Sequence, residues 1–491
     1  LYWDQNTSMP FEGSSWRGEQ LSLLAKTIHS RQSSDHFGSL VAQAKDEFEL
    51  NCLTKDFSQI QIAEGKRNIQ LLEQDFKRQK SLDSDLIAHL AIAKSDGYKR
   101  WQEAKAQSNF KYFAPALKNL IYLKQEEASQ LSEPRSCWET LAQPYEPDVT
   151  IIRLRELFQP LRKYLPELID KVKGWNMPIQ KNWDIEEKYQ EDLNNQLLNR
   201  WARNTKNTTI ARSPHPFSIT LGPEDFRITT RVVQGQPLSC FLATAHEWGH
   251  SLYEQGLPSN SHQWFAWPLG QATSMGVHES QSLFWENRVA RSFAFADQFW
   301  SKFVKAGAPF NSPNDFWKEL NPLVPGLNRV EADELSYGLH ILIRTDLEIA
   351  LLEDGLDVND LPKEWNQKYQ ELIGVAPQND SEGCLQDVHW SEGAFGYFPS
   401  YLLGHLISAQ LSEAMINELQ KMGVDGQDPI GTCIRDNNES LLIDWLRTNV
   451  HCHGRQMNAE QLIELVTNKK LSSEPFLNYL KKKLEHLSKS S

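Results

Sequence analysis

The sequence contains few cysteines, and no two of them lie close together in the chain. Six occur among 491 residues, without a CxxC motif: Cys52, Cys137, Cys240, Cys384, Cys433 and Cys452. Zinc ribbons and disulfide frameworks use closely spaced cysteines, so neither class is indicated. Scattered, unpaired cysteines are typical of proteins in a reducing compartment, and we expect a cytoplasmic protein.

Long apolar runs and an excess of positive charge are also missing. No stretch of about 18 apolar residues occurs, and the N-terminal segment lacks the charged-then-apolar order of a signal peptide. We therefore expect no association with a membrane. The formal net charge is −13, whereas a nucleic-acid-binding protein needs a basic surface to displace counterions from phosphates. The composition argues against a nucleic-acid partner and fits a small soluble substrate better.

Helical periodicity dominates what is present. Hydrophobic residues make up 40% of the chain and charged residues 23%, which is sufficient for a large buried core. Apolar residues recur three and four positions apart, as in Leu21, Leu24 and Ile28. We predict a mainly α protein with a single domain. That domain would span residues 1–491, with an N-terminal helical region at about 1–200, a metal and catalytic region at about 215–405, and C-terminal helices at 405–491.

One stretch alternates apolar and polar residues instead. Residues 217–221 and 226–232 are rich in β-branched side chains, and the turn-forming sequence Gly-Pro-Glu-Asp at 222–225 separates them. Alternation with a period of two is typical of a half-buried strand. The pattern predicts a β-hairpin.

A metal-binding motif follows this hairpin. The sequence His246-Glu247-Trp248-Gly249-His250 is an HExxH motif within a proline-free run. On an α-helix, residues four apart lie on one face, so both imidazoles can bind one zinc ion while Glu247 lies beside it. Zinc held by three protein ligands lowers the pKa of a bound water towards neutrality. Glu247 would then accept the proton of that water as it attacks a peptide carbonyl.

The third metal ligand must come from elsewhere in the chain. A second helical run begins near Gly276 and carries two carboxylates, Glu279 and Glu286, which lie two turns apart on one helix face. A helix at this distance in sequence could pack back across the first. Periodicity alone does not choose between the two carboxylates.

Further motifs resemble those of the carboxypeptidase Taq family of metallocarboxypeptidases. They are HESQ at His278–Gln281, DxRxT at Asp225–Thr229, GxxQDxHW at Gly383–Trp390 and an aromatic signature at Gly396–Tyr401. This chain departs from the family at one further motif, IRxxAD, because Asn328 stands where the family usually has an apolar residue. Arg329 and Asp333 of that motif are retained.

The resemblance carries expectations about fold and chemistry. It implies a saddle-like helical fold with a deep groove, related to neurolysin, with a small sheet beside the HExxH helix. It implies one zinc ion per chain, with cobalt as an alternative, and it favours Glu279 over Glu286 as the third ligand. It also implies a homodimer that removes single residues from peptides with a free C-terminus.

Three aromatic residues are candidates for contacts with the substrate. Hydrolysis develops negative charge on the carbonyl oxygen, and donors aimed at that oxygen stabilise the transition state. His389 and Tyr397 each carry a polar hydrogen in or just after a glycine-bounded segment, and related peptidases use a histidine and a tyrosine in this role. Tyr401 is a further candidate for binding the substrate.

An exopeptidase acting at the C-terminus must also bind a carboxylate. A guanidinium group matches a carboxylate in both charge and geometry. The resemblance makes Arg329 the first candidate, and Arg227 on the predicted hairpin is the second. Arg344 is a third, although a structural ion pair explains it better.

Two other functions share many of these features. One is an endo-acting oligopeptidase with the same metal site, and the other is a non-catalytic relative that binds peptides. Retention of Glu247 disfavours the second. The segment His451-Cys452-His453 is interpreted as a helix C-terminus rather than as a second metal site.

Overall fold

The computed structural model describes residues 1–175, 183–202, 206–260, 264–424 and 426–489. Over these residues the protein is mainly helical, as predicted, with one small sheet and several single-turn helices. The twenty α-helices in the described part are α1 Tyr2–Thr7, α2 Ser14–Gln32, α3 Asp35–Thr54, α4 Gln59–Ser81, α5 Ser84–Gln107, α6 Ala114–Leu131, α7 Cys137–Ala142, α8 Ile151–Val172, α9 Glu187–Trp201, α10 Pro237–Gly256, α11 Met275–Leu283, α12 Phe293–Lys305, α13 Pro313–Leu320, α14 Tyr337–Leu352, α15 Leu361–Leu372, α16 Pro399–Lys421, α17 Pro429–Arg435, α18 Ser440–Asn449, α19 Ala459–Thr467 and α20 Glu474–Lys489. A π-helix at Phe284–Ala290 continues directly from α11.

The sheet contains the predicted hairpin and one further strand. Its strands are β1 Thr208–Arg212, β2 Ser218–Gly222 and β3 Asp225–Thr230. Strands β2 and β3 pair antiparallel, as predicted, and β1 pairs in parallel with the other side of β3. The prediction missed β1 because this edge strand is only partly buried and lacks a strict alternation of apolar and polar residues.

A large hydrophobic cluster forms the core. It begins at Ala104 near the end of α5 and reaches Leu487 in α20. Among the described side chains, α1 to α4 contribute none to this cluster. No helix in the described ranges has both the length and the apolar character needed to cross a bilayer. The division of the chain into regions within one domain stays a prediction.

Close packing of α10, α11 and α16 brings the motif residues together. A Cβ added to Gly249 in α10 would lie 2.6 Å from Cα of Ser282 in α11. A Cβ added to Gly404 in α16 would lie 2.7 Å from Cγ of Glu279. Only glycine permits such an approach without displacing a neighbour. Helix α11 therefore packs tightly between the other two, with Glu279 on it.

Candidate active site

The HExxH motif lies within one helix, as predicted. Helix α10 starts at Pro237, where the missing N–H of proline has no intrahelical partner to lose, and it ends at Gly256, two residues before Pro258. Apolar side chains such as Phe241 and Leu252 are buried in the core. The motif is therefore carried on a partly buried, rigid helix.

His246, His250 and Glu279 converge at one point. A ligand atom from each residue lies within 4.8 Å of the other two. The Nε2 atoms of His250 and His246 lie 3.5 Å and 3.8 Å from Oε2 of Glu279. Zinc with bonds of about 2.0–2.2 Å in a tetrahedral arrangement holds its ligand atoms about 3.3–3.6 Å apart. These three residues therefore fit a divalent metal ion.

Glu286 contacts the same cluster from behind His246. Its Oε2 accepts a hydrogen bond from Nδ1 of His246 at 2.9 Å, and its Oε1 accepts one from Nη2 of Arg291 at 2.9 Å. Metal-binding histidines commonly donate their second N–H to a carboxylate, which fixes the tautomer and the orientation of the ring. The geometry therefore favours Glu279 as the metal ligand and Glu286 as the residue that orients His246.

His250 is oriented through a different pair of side chains. Its Nδ1 lies 2.6 Å from Nδ1 of His278, and Nε2 of His278 lies 2.9 Å from Oε1 of Glu254. Because Glu254 can accept the hydrogen on Nε2 of His278, Nδ1 of His278 can accept the hydrogen of His250. This arrangement leaves Nε2 of His250 available for the metal. Sequence reasoning missed Glu254, although it lies one helical turn after His250.

The cluster has a strongly negative local field. Burial lowers the pKa of His246, but the charges of Glu279 and Glu286 outweigh burial and raise the pKa to about 10. Burial also raises the pKa of Glu247 to about 7, against the opposing effect of His246. Metal binding requires deprotonated ligands, so a divalent cation would replace a proton at His246.

The predicted aromatic residues form a group close to the metal cluster. Nε2 of His389 lies 3.2 Å from Oη of Tyr401, and the ring centroids of Tyr397 and Tyr401 are 5.3 Å apart. Burial and then the charge of Glu279 raise the pKa of Tyr397, which keeps its hydroxyl as a donor. Burial lowers the pKa of His389 to about 4, so its ring is neutral at neutral pH and retains one N–H.

Arg329 lies beside this aromatic group. Its Nε donates to Oδ1 of Asp387 at 2.8 Å, and its Cζ lies 5.1 Å from the centroid of the Tyr401 ring. Its charge also lowers the pKa of Glu279, although burial has the larger, opposite effect. Its Nη1 lies 3.4 Å from Oη of Tyr337, and among the described residues Nη2 has no hydrogen-bond partner.

Arg344 forms the structural ion pair that the sequence indicated. It is fully buried, and its Nε donates to Oδ2 of Asp387 at 2.6 Å. Its Nη2 donates to Oε1 of Gln386 at 3.0 Å. One carboxylate thus joins the two arginines, and their charges outweigh burial to hold the pKa of Asp387 well below its usual range.

Arg227 lies apart from this group. It forms two hydrogen bonds with the carboxylate of Asp225, at 2.7 Å and 2.8 Å, and its Cζ lies 5.4 Å from the centroid of the Trp3 ring. Its neighbours Phe226 and Ile228 are buried, so the alternation along β3 directs Arg227 to the opposite face of the sheet. Within the described residues, the structure does not bring Arg227 into contact with the metal cluster.

His451 supports the helix that carries Glu279. Helix α18 ends at Asn449, and a short 3₁₀ helix begins at His451. The buried ring places its Nε2 3.0 Å from Oε1 of Gln281 in α11. The segment therefore begins just after a helix C-terminus, close to where the sequence predicted one.

Comparisons with known proteins agree with these motifs. A family model described as carboxypeptidase Taq (M32) metallopeptidase matches residues 1–484. Thermostable carboxypeptidase 1 of Thermus thermophilus is 34% identical over 497 residues, covering 98% of this chain and 93% of that protein. Carboxypeptidase 1 of Bacillus subtilis is 32% identical over 496 residues, covering 99% and 94%. The crystal structure of an M32 carboxypeptidase from Deinococcus radiodurans is similar with a TM-score of 0.90 at 30% identity, covering 99% of this chain and 94% of that one. The chain therefore belongs to the carboxypeptidase Taq (M32) family of metallopeptidases.

Proposed function

We propose that this M32 metallocarboxypeptidase holds one zinc ion between His246, His250 and Glu279 and releases C-terminal residues from peptides. The convergence of these three ligand atoms within 4.8 Å carries the proposal. Imidazole and carboxylate ligands of this kind suit zinc, and cobalt is the alternative metal. Metal analysis of the purified protein would identify the metal and its stoichiometry.

The surrounding residues have complementary roles in this proposal. When bound, zinc polarises a carbonyl and lowers the pKa of a water molecule. Glu247 accepts the proton of the attacking water, since its carboxylate directly follows the metal ligand His246 on α10. His389 and Tyr397 donate hydrogen bonds to the negative charge that develops on the carbonyl oxygen.

Arg329 binds the free carboxylate of the substrate, and Tyr401 lines the same position. The Asp387 ion pair holds Nε of the Arg329 guanidinium, and its Nη2 would bind the incoming anion. Such a preoriented fork favours a planar carboxylate. Arg227 is a weaker candidate for this role because Asp225 already occupies its guanidinium.

A digestion experiment separates this proposal from its alternatives. One peptide would be supplied with a free and with an amidated C-terminus, and the products would be read by mass spectrometry. We expect stepwise loss of single residues from the free peptide and little cleavage of the amidated one. Internal fragments from both would favour an endo-acting oligopeptidase. A metal-loaded protein that cleaves neither would be a non-catalytic peptide-binding relative.

The assembly and the compartment belong to the same proposal. We propose a homodimer, as the family resemblance implies, and sedimentation analysis would measure its mass. A cytoplasmic location is supported by six cysteines that are all free thiols in the structure. The likeness to neurolysin and the deep groove are further expectations of that resemblance.

A further inference from the structure

A single buried carboxylate holds the segment that carries His389 and Tyr397. Glu348 lies in α14 and is 0% exposed. Its Oε1 accepts a hydrogen bond from Nε1 of Trp390 at 2.9 Å. Its Oε2 accepts two more, from the backbone N–H of Gly396 at 2.9 Å and from Nε1 of Trp138 at 3.2 Å.

These hydrogen bonds bracket the candidate catalytic segment. Trp390 directly follows His389, and Gly396 directly precedes Tyr397. Gly396 has a φ of +84°, and a Cβ there would lie 2.7 Å from Cα of Ala142 in α7. The segment from Trp390 to Gly396 is therefore anchored at both of its ends to α14, and at Gly396 it also packs against α7.

His389 depends on this support because its own polar contacts are few. Its Nε2 contacts Oη of Tyr401 at 3.2 Å, but its Nδ1 has no hydrogen-bond partner among the described residues. The ring is packed against Phe398, with ring centroids 4.5 Å apart. Besides an approach of its Nδ1 to Oδ1 of Asp387 at 4.0 Å, the backbone and the neighbouring rings set its orientation, and Glu348 holds Trp390 and Gly396 on either side of the segment.

We propose that Glu348 is a positioning residue, which aligns His389 and Tyr397 with the reacting carbonyl without touching the substrate. The inference rests on the proposed function, because it assumes that these two residues stabilise the developing oxyanion. Misplacement of a catalytic group by about 1 Å can cost about 100-fold in rate. Loss of one support should therefore lower kcat while leaving substrate binding and metal binding largely intact.

The first test is Trp390→Phe, which removes one donor to Glu348 and keeps an aromatic ring. Trp445→Phe is a matched control, because Nε1 of Trp445 donates to Oε2 of Glu418 at 2.7 Å between α18 and α16. Both tryptophans are nearly buried, at 4% and 6% exposed. Each variant loses one indole–carboxylate hydrogen bond, but only the first loses a bond to the candidate segment.

The expected result is a separation of kcat from stability. Trp390→Phe should lower kcat by about 10- to 100-fold, with KM within about twofold and unchanged metal content. Trp445→Phe should lose thermal stability to a similar extent and keep its kcat. Equal kcat values for both variants would overturn the positioning role.

A second variant acts on the carboxylate itself. Glu348→Gln preserves the shape but offers a single acceptor oxygen, which can serve either Trp390 or the pair Gly396 and Trp138. Its NH₂ group then faces the remaining donor or donors. We expect a folded protein with a reduced kcat. If this variant fails to fold, Trp390→Phe still decides the question.

Variants of the two candidate residues distinguish the possible failures. His389→Gln and Tyr397→Phe would be measured in the same assay. If both keep the wild-type kcat, the proposed oxyanion roles are wrong and the positioning role falls with them. If both lose activity while Trp390→Phe and Glu348→Gln do not, only the positioning role is wrong.

Discussion

The contact between Gly249 and α11 allows a quantitative test of how the metal site is built. In Gly249→Ala, the added Cβ would lie 2.6 Å from Cα of Ser282 and 2.9 Å from the carbonyl oxygen of Gln281. Both are backbone atoms, so no side-chain rotation relieves the overlap. Carbon atoms in contact prefer about 3.5–4.0 Å, and α11 must therefore move by about 1 Å.

That movement has two consequences of different size. Overpacking of this kind costs about 1–3 kcal/mol of stability, which a protein of this size can tolerate. Glu279 moves with α11, so the separations of its Oε2 from Nε2 of His250 and from Nε2 of His246, now 3.5 Å and 3.8 Å, would each rise by about 1 Å, well beyond the roughly 3.6 Å that a tetrahedral zinc ion can span. We expect a rise of at least about tenfold in the apparent Kd for zinc.

Zinc competition with a chromophoric chelator would measure the affinity, and urea unfolding would measure stability. Gly18→Ala is the control, because a Cβ at this position in α2 has no described atom within 4 Å. Alanine there should gain about 1 kcal/mol from helix propensity and leave the affinity for zinc unchanged. Wild-type zinc affinity in folded Gly249→Ala would refute the argument that close packing sets the position of Glu279.

Four further predictions concern single carboxylates and one arginine. Glu279→Ala should abolish stoichiometric zinc binding, whereas Glu286→Ala should weaken zinc binding by about 10- to 100-fold. Metal analysis would measure both, and a greater loss of zinc in Glu286→Ala than in Glu279→Ala would make Glu286 the ligand. Glu247→Gln should keep zinc and lose nearly all turnover, and normal activity with bound zinc would exclude it as the base. Arg329→Met should cost about 2–5 kcal/mol in kcat/KM on peptides with a free C-terminus and little on amidated ones. An unchanged preference for free C-termini would show that another residue binds the carboxylate. Burial raises the pKa of Glu146 from 4.5 to about 7, so the stability it contributes is complete at low pH and falls as the pH rises towards 7. Glu146→Gln should flatten this pH dependence in unfolding experiments, and an unchanged profile would contradict the assignment.

The sequence predicted the parts of the site that have a regular spacing. Histidines four positions apart require one helix face, and the structure has both on α10. Periodicity does not choose between Glu279 and Glu286, and the sequence favours Glu279 only through the family resemblance. Both carboxylates approach His246, and the packing brings Glu279 near its Nε2 and Glu286 near its Nδ1. Periodicity describes a helix face but not the atom that a side chain meets.

The residues that sequence reasoning missed act across long separations in the chain. Glu348 meets Trp390 from another helix, and no motif or spacing connects the two positions. The sequence does not predict strand β1 for a related reason. It lies at the edge of the sheet beside β3, and its residues are partly buried or exposed, so it shows no alternation of buried and exposed positions. Glu254 is different, because it lies one helical turn after His250 and its position can be read from the sequence.

The two arginines that share one aspartate differ in burial, which bears on the roles proposed for them. Arg344 is fully buried, so a substrate carboxylate could reach it only by displacing Asp387. Arg329 shares the same carboxylate, yet the hydrogen bonds of its guanidinium to described residues come from Nε and Nη1 and none from Nη2. A buried pair that loses one member leaves an uncompensated charge, which is costly. Because Arg344 also pairs with Asp387, that carboxylate would keep one partner when Arg329 binds a substrate carboxylate, as the proposed function requires.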